Sequence, residues 1–402
     1  LPLHSARPPR HCSHIATIHA KQAEMKVLLL GDASHYNRTL AEGLKRHGHE
    51  VCVASDGSTW MNTGRDVDLS RRLPGCFGGA LLWARLHTTL RLKLQGWDVI
   101  QLCGPTFMRL RPSRLRTLLD GLRRHNGLVC LTAIGTDTAF VNMCKDPHGP
   151  LRYSEWAIDG VPTEYALSTR GRTVSMWQQP ELSDYAQYVY DHVDGVITAL
   201  YEYQLSMSRV ITPERLAYGG IPVDTAAIKP TPIDAKTNKP ISILLPSHIG
   251  REQEKGIPQL MRIAKVIESE FPDKVTVLPV HNLQYAEFLK RMARADIVFD
   301  QLYSYTPATT ALLAMAMGKT VVTGAEKDFN DFQGCATPAI NIDPRCPEAA
   351  LPTIRQYLNR EALAANALKA REYVVTHNDC EVVAQRYEDF WHKISHNNGK
   401  VS

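Results

Sequence analysis

Arg251 and Lys255, two cations four residues apart, imply a chemistry more directly than any other pair in this sequence. They lie in Pro246-Ser247-His248-Ile249-Gly250-Arg251-Glu252-Gln253-Glu254-Lys255-Gly256, after the apolar run Ile241–Leu245 and before a helical pattern. A diphosphate calls for such a pair. The guanidinium is a planar fork for bidentate contact with oxygens, and the ammonium is a point charge beside it. The interleaved Glu252 and Glu254 leave a solvated salt-bridge face open as the alternative.

A second constellation runs from Asp296 to Val322. The strand Ile297–Phe299 ends in a polar loop, Tyr303-Ser304-Tyr305-Thr306-Pro307-Ala308-Thr309-Thr310, where a helix starts among small and hydroxyl residues. Free backbone N–H groups at such a start can take phosphate or sugar oxygens. The Leu, Met and Ala residues that follow read as core, and Gly318 as a helix stop. Gly31-Asp32-Ala33-Ser34 follows the strand Val27–Leu30, and its small residues let a ligand approach the backbone. It is not a GxGxxG, so the dinucleotide fingerprint is absent and a dehydrogenase is disfavoured; an ordinary tight turn is its other use. Asp137 follows Leu128–Thr132 in Ile134-Gly135-Thr136-Asp137. There it would face the same crevice and orient or deprotonate a hydroxyl, unless it caps the next helix.

Positioning these residues needs alternating strands and helices, the pattern of parallel sheets covered on both faces. Strands are expected at Val27–Leu30, Glu50–Ala54, Asp98–Leu102, Leu128–Thr132 and Gly195–Thr198, the last closing the first half. A helix over Arg38–His47 ends at Gly48. Residues 145–190, rich in Tyr, Trp, Ser and Gln, read as a helical excursion, either beside a binding site or as packing. Residues 225–240 carry three Pro and three Lys and form the best linker. A second alternation follows: strands Ile241–Leu245, Val275–Leu278, Ile297–Phe299 and Thr320–Val322, with helices near Ile257–Glu268, Gln284–Ala293 and Thr309–Met317. A helix over Glu381–Ile394 carries an apolar face that could pack across the first half.

The chain has 402 residues, and one core rarely grows past about 300, so two domains are expected. Hydrophobic residues make up 44% and charged ones 22%, which fits a globular protein. A net charge of +5 suits an anionic small molecule or membrane surface and is too small to imply nucleic acid. Nine Cys with no CxxC read as buried thiols rather than a disulfide framework. No apolar run reaches the length of about 20 residues that spans a bilayer. Residues 1–24 have no periodicity and no secretory apolar centre, so they read as a non-native or disordered leader ahead of Met25.

The order of these elements resembles retaining glycosyltransferases of the GT-B fold, the group 1 or family 4 class. Arg251, Lys255 and Gly256 match that family's R-x(3–4)-K-G element, and Leu313-Ala314-Met315-Ala316-Met317-Gly318-Lys319-Thr320-Val321-Val322 its E-A-M-A-x-G-x-P-V-V pattern. His47-Gly48-His49-Glu50-Val51 is close to R-G-H-E-V, and Ala217-Tyr218-Gly219-Gly220-Ile221-Pro222-Val223-Asp224 to the N-G-V-D entry into the second lobe. The resemblance covers most of residues 25–395.

It implies an α/β chain of two Rossmann-like, doubly wound parallel-sheet lobes with a cleft between them. Residues 25–222 would form the acceptor-side lobe, 223–375 the nucleotide-sugar-binding lobe, and 376–402 a helix packing back on the first. The implied reaction moves a sugar from a UDP- or GDP-type nucleotide-diphosphate sugar to a hydroxyl of a glycan or lipid-linked saccharide, with retention. Asp137, Arg251 and Lys255 would be the catalytic residues, the two cations neutralising charge on the departing diphosphate. Gly31, His281, Tyr305, Thr306, Pro307, Ala308 and Thr309 would join them on the donor. Asn282 would line the base pocket beside His281, for which a satisfied loop histidine is the alternative. No cofactor beyond the co-substrate and no metal is implied, because the cations do that work and no DxD-like pair calls for an ion.

One departure stands out. The family has two glutamates eight positions apart, for donor-sugar hydroxyls and for the ribose, and here those positions hold Tyr305 and Leu313. Leu313 cannot accept a ribose hydrogen bond. A nucleotide-sugar epimerase of the same fold and a catalytically inactive sugar-nucleotide-binding protein therefore stay open. The Arg-rich stretches Met108–Arg124 and Arg85–Lys93 resemble faces that rest on anionic lipid in this family, a solvated helix face being the alternative. The expected setting is cytoplasmic, with peripheral contact at the inner membrane face, in polysaccharide biosynthesis.

Overall fold

The computed structural model describes residues 24–58 and 62–398. The expected leader therefore lies, apart from Glu24, outside the described residues.

The first lobe is built on strands β1 (Lys26–Leu30), β2 (Glu50–Ser55), β3 (Val67–Asp68), β4 (Val99–Cys103) and β5 (Leu128–Ala133). A short antiparallel hairpin, β6 (Ala157–Ile158) and β7 (Val161–Pro162), interrupts them, and β8 (Gly195–Thr198) and β9 (Leu216–Tyr218) complete the sheet. The order is β3-β2-β1-β4-β5-β8-β9, and every neighbouring pair is parallel. Contrary to expectation, β8 is not the last strand. β9 lies outside it, and its three residues, Leu216-Ala217-Tyr218, are too few to show a pattern. Val27, Leu28, Leu29 and Leu30 are all fully buried. At about 1.5–3 kcal/mol per buried side chain, packing on both faces anchors this strand, which is why its sequence is continuously apolar.

The second lobe holds β10 (Ile241–Ser247), β11 (Val275–His281), β12 (Ile297–Phe299), β13 (Thr320–Thr323) and β14 (Ile340–Asn341) in the order β11-β10-β12-β13-β14, again all parallel. In each sheet the strand order reverses beside the first strand, at β1/β4 and at β10/β12. Ligands of open α/β sheets bind outside the carboxyl ends of strands at such points.

The stretch 225–240 is not a free tether. Arg371 donates to the carbonyls of Thr225 at 2.6 Å and Ile228 at 2.7 Å, and Thr231 N–H donates to Met317 O at 3.0 Å. These bonds lay the segment along the second lobe.

The last helix, Cys380–Asn398, packs on the helix Tyr36–Arg46. Gly43 makes the approach possible, since a Cβ there would lie 2.1 Å from Cys380 O. A chain of buried polar groups joins this helix to the first sheet. Trp391 Nε1 donates to Gln101 at 2.9 Å, Gln101 to Thr132 at 3.0 Å, and the Tyr387 hydroxyl lies 3.1 Å from Thr132 and 2.8 Å from Tyr36. Each member satisfies its neighbour, so a glutamine is tolerated in the middle of β4. The chain leaves the first lobe at Val223 and returns at Asp379, and the two form a parallel bridge. Val223 N–H donates to Asn378 O at 2.7 Å, and Cys380 N–H to Val223 O at 2.9 Å.

Candidate functional site

A cavity of about 480 Å³ lies between the lobes, lined by residues just past the carboxyl ends of β5, β8, β10, β11 and β12. Ile134, Gly135 and Thr136 follow β5; Glu202 and Tyr203 follow β8; Ser247 ends β10, and His248, Arg251 and Lys255 follow it; Asn282, Tyr285 and Phe288 follow β11; Asp300 and Gln301 follow β12.

The short helix Glu252–Lys255 sets both cations. Lys255 Nζ donates to Asp300 Oδ1 at 3.0 Å, and Asp300 is fully buried. Gly256 holds the lysine's backbone against Leu302. Its φ is +68°, a Cβ there would lie 2.6 Å from the Leu302 side chain, and Lys255 O accepts from Leu302 N–H at 2.9 Å. Arg251 is 44% exposed at its side chain and donates to Glu254 at 2.5 Å. Glu254 also accepts from Arg170 at 2.8 Å. Burial works against the Glu254 charge, but the arginine bonds outweigh it and hold the carboxyl below its ordinary range. The two cations thus form internal ion pairs and both line the cavity, with Arg251 at its open side.

The helix Thr309–Ala316 starts at the cavity with no side-chain cap. Ala308, Thr309 and Thr310 line the cavity and are half-buried, so their N–H groups are available to an anion. Thr306 and Pro307 are buried and are not among the lining residues. Thr306 instead serves the lobe contact: its hydroxyl donates to Glu202 at 2.7 Å, and Glu202 also accepts from the N–H groups of Tyr305 and Thr306. Leu313 borders the cavity and is 7% exposed.

Tyr305 is buried, and its hydroxyl accepts from Arg152 N–H at 2.7 Å. Its ring stacks on Tyr153 at 4.7 Å. Arg152 donates to Glu326 at 2.8 Å and to Asp328 at 2.7 Å, and the Tyr153 hydroxyl donates to Glu326 at 2.8 Å. A strap from the first lobe, Leu151–Glu155, is thereby bound to the second. Tyr305 lines the cavity as well, with its hydroxyl engaged by this backbone contact.

Three other expected positions differ. Asp137 does not face the crevice. It is 3% exposed and turns back to cap the helix Thr138–Lys145, accepting from Phe140 N–H at 2.9 Å. Burial pushes its carboxyl up to about 6, against the cap bonds. Gly31 borders a neighbouring cavity of about 350 Å³ with Asp32, Ser34, Asp56 and Ser58, and Arg251 lies on the wall of both cavities. His281 is hydrogen-bonded through Nδ1 to Ser247 Oγ at 2.5 Å, and its neighbour Asn282 reaches the larger cavity instead.

Sequence reasoning missed Glu155, Glu202 and the strap. A signal existed for Glu202, which lies four residues past the end of β8, where strand ends face the crevice. None existed for Glu155, which a weakly patterned excursion delivers. Among the described residues no group of three or more His, Cys, Asp or Glu side chains is placed to hold a metal ion, and no helix is long and apolar enough to cross a membrane.

No family model and no curated protein matches the sequence. Solved structures match the fold. Sucrose-phosphate synthase from Thermosynechococcus elongatus superposes with a TM-score of 0.61 at 14% identity, over 94% of this chain and 97% of that one. The catalytic domain of starch synthase IV from Arabidopsis thaliana, bound to ADP and acarbose, gives 0.55 at 12% identity, over 93% and 100%. HepE from Anabaena, in complex with UDP and glucose, gives 0.52 at 14% identity, over 91% and 99%. The match to TarM has a TM-score of 0.50 at 14% identity and spans 77% of this chain but 58% of TarM. Two parallel-sheet lobes facing each other across one cleft, superposing on these glycosyltransferases, give this chain the GT-B fold.

Proposed function

We propose that this protein is a glycosyltransferase that moves a sugar from a nucleotide-diphosphate sugar to a hydroxyl of a glycan or lipid-linked saccharide, with retention, in the manner of the group 1 or family 4 class. The observation that carries the reading is convergence. Lys255, Arg251 and the uncapped helix start at Ala308–Thr310 surround one cavity at the carboxyl ends of both sheets. Together they offer a point charge, a fork and backbone N–H groups to a diphosphate. As the glycosidic bond breaks, charge grows on the leaving phosphate oxygen, and these fixed groups stabilise it without reorganising. In this reading the two cations do the work of a metal ion. UDP or GDP is the proposed nucleotide part; in support, HepE was solved with UDP and starch synthase IV with ADP.

The acceptor side belongs to the first lobe, where Asp32 and Asp56 border the smaller cavity. Peripheral contact with an anionic membrane, at the cytoplasmic face, is part of the proposal. Phe77 is 76% exposed and Leu73 49%, near Arg71, Arg111 and Arg114. Several arginines here are also held by the protein itself, Arg71 on the carbonyl of Arg109, Arg114 on that of Gly79, Arg85 on those of Asp68 and Ser70, and Arg116 over Tyr188.

A binding protein without transferase activity is the second reading, favoured by Leu313 on the cavity wall, where no hydrogen bond can be offered to a ribose. Thermal shift with UDP, GDP and ADP, followed by hydrolysis of the matching nucleotide sugars, separates the two. No shift in wild type, or an equal shift in an Arg251→Ala/Lys255→Ala variant, refutes the diphosphate grip. A shift without turnover favours the second reading.

A further inference from the structure

Four carboxylates line the large cavity: Glu155, Glu202, Glu254 and Asp300. Three have partners. Glu202 holds two backbone N–H groups and the Thr306 hydroxyl, Glu254 holds two arginines, and Asp300 holds Lys255. Glu155 differs. Among the described residues, no other residue makes a hydrogen bond or ion pair with its carboxylate.

Its backbone is nevertheless fixed on both sides. The Ser154 hydroxyl donates to Cys144 O at 3.0 Å and accepts from Trp156 N–H at 3.1 Å, and Glu155 O accepts from the Thr163 hydroxyl. Trp156 is 2% exposed, edge-on to Phe140 and Tyr165. Upstream, Arg152 and Tyr153 are bound to Tyr305 and Glu326. An anchored carboxyl without a partner costs stability. Burial, helped by the charges of Glu254 and Glu202, pushes Glu155 up to about 8, with Arg251 opposing. A ligand that supplies donors offsets that cost.

The chemistry of the ligand group follows. Phosphate oxygens are drawn to the fixed charges of Lys255 and Arg251. The group that suits Glu155, whose raised carboxyl is largely protonated near pH 7, is a neutral one that can both donate to it and accept from it, as a hydroxyl does, and it must sit beside the phosphates in the same cavity. We propose that Glu155 is a sugar-binding residue, whose carboxyl takes hydrogen bonds from hydroxyls of the sugar carried by the nucleotide diphosphate and so decides which sugar is accepted. The inference rests on the glycosyltransferase reading above.

Calorimetric titration of wild type, Glu155→Gln and Glu155→Ala with UDP, GDP, UDP-glucose and GDP-mannose tests it. The unliganded variants' thermal midpoints serve as the folding check, and Glu155→Gln keeps the side chain's shape. In Glu155→Ala, affinity for the matching nucleotide sugar is expected to fall about tenfold while affinity for the bare nucleotide stays within about twofold, as for one lost hydrogen bond. Glu155→Gln, which keeps one acceptor oxygen, falls between wild type and Glu155→Ala. Unchanged nucleotide-sugar affinity in both variants overturns the assignment, as does an equal loss for nucleotide and nucleotide sugar. If wild type binds none of the four ligands, the glycosyltransferase reading itself fails and Glu155 loses its role with it.

Discussion

The hydroxyl of Tyr305, in the second lobe, accepts the backbone N–H of Arg152, in the first, at 2.7 Å. This bond fixes the strap that carries Glu155 to the loop that begins the helix Thr309–Ala316. The lobes are therefore tied at the rim of the cavity through main chain as well as through charge.

Replacing Tyr305 by Phe keeps the ring stacked on Tyr153 and removes the acceptor. A buried N–H left unpaired costs about 1–3 kcal/mol. The unfolding free energy of Tyr305→Phe is expected to fall by that amount, read as a lower urea midpoint at an unchanged denaturant slope. An unchanged midpoint would show that this bond adds nothing to the ion pairs and Tyr153 contacts that also hold the strap.

Lys255 serves both stability and binding, and the two can be separated. Lys255→Met leaves the fully buried Asp300 without its cation, a loss of about 3–5 kcal/mol for a broken buried pair. Adding Asp300→Asn is expected to restore much of the stability and none of the nucleotide affinity. Arg251→Ala removes an exposed side chain and is expected to cost under about 1 kcal/mol while still weakening UDP or GDP. Chemical unfolding and nucleotide titration on the same samples read both quantities.

The pH dependence follows from Asp137. Burial raises its folded carboxyl from the ordinary 3.8 to about 6. The folded state therefore binds the proton more tightly than the unfolded chain, and stability falls as pH rises from about 4 to about 6. Asparagine caps a helix as well as aspartate does. Asp137→Asn is expected to lose this slope and to be more stable at pH 7, by about 2–3 kcal/mol from the size of the shift. Unfolding free energies at pH 4, 5, 6 and 7 check it, and parallel curves for the two proteins would contradict it.

Arg152→Ala removes two ion-pair contacts, while Glu326 keeps the Tyr153 hydroxyl and the Asn341 amide as partners. Global stability is expected to drop by only about 1 kcal/mol, since Arg152 is partly exposed. Hydrogen exchange should nevertheless speed up in the peptides covering Leu151–Glu155, with little change in β1 or β10.

The sheet strands were legible where burial is two-sided, as in Val27–Leu30 or Ile241–Leu245, because such strands must be apolar throughout. Arg251 and Lys255 were legible as a pair because strand ends and cation spacing are local. What sequence could not show was direction. Asp137 lies after the right strand yet faces its own helix, because capping takes a rotation of one side chain. Tyr305 occupies the position of a donor-binding residue and binds the strap, a partner 153 positions away in sequence. Glu155 escaped for the same reason: only the fold brings the excursion across the cleft.

The paired crossing at Val223 and Asp379 has a mechanical consequence. Two chain segments bonded side by side behave as the spine of a book. Sliding one cover over the other would shear the Val223–Asn378 and Cys380–Val223 bonds, whereas rotation about the spine leaves them in place and has to break only the contacts at the far edge, such as those of Glu202 with Tyr305 and Thr306. Opening the covers moves Gly135 and Thr136 away from Lys255 and Thr309, but Leu151–Glu155 is clasped to the opposite cover. A substrate entering the parted book therefore finds Glu155 already on the page with the two cations.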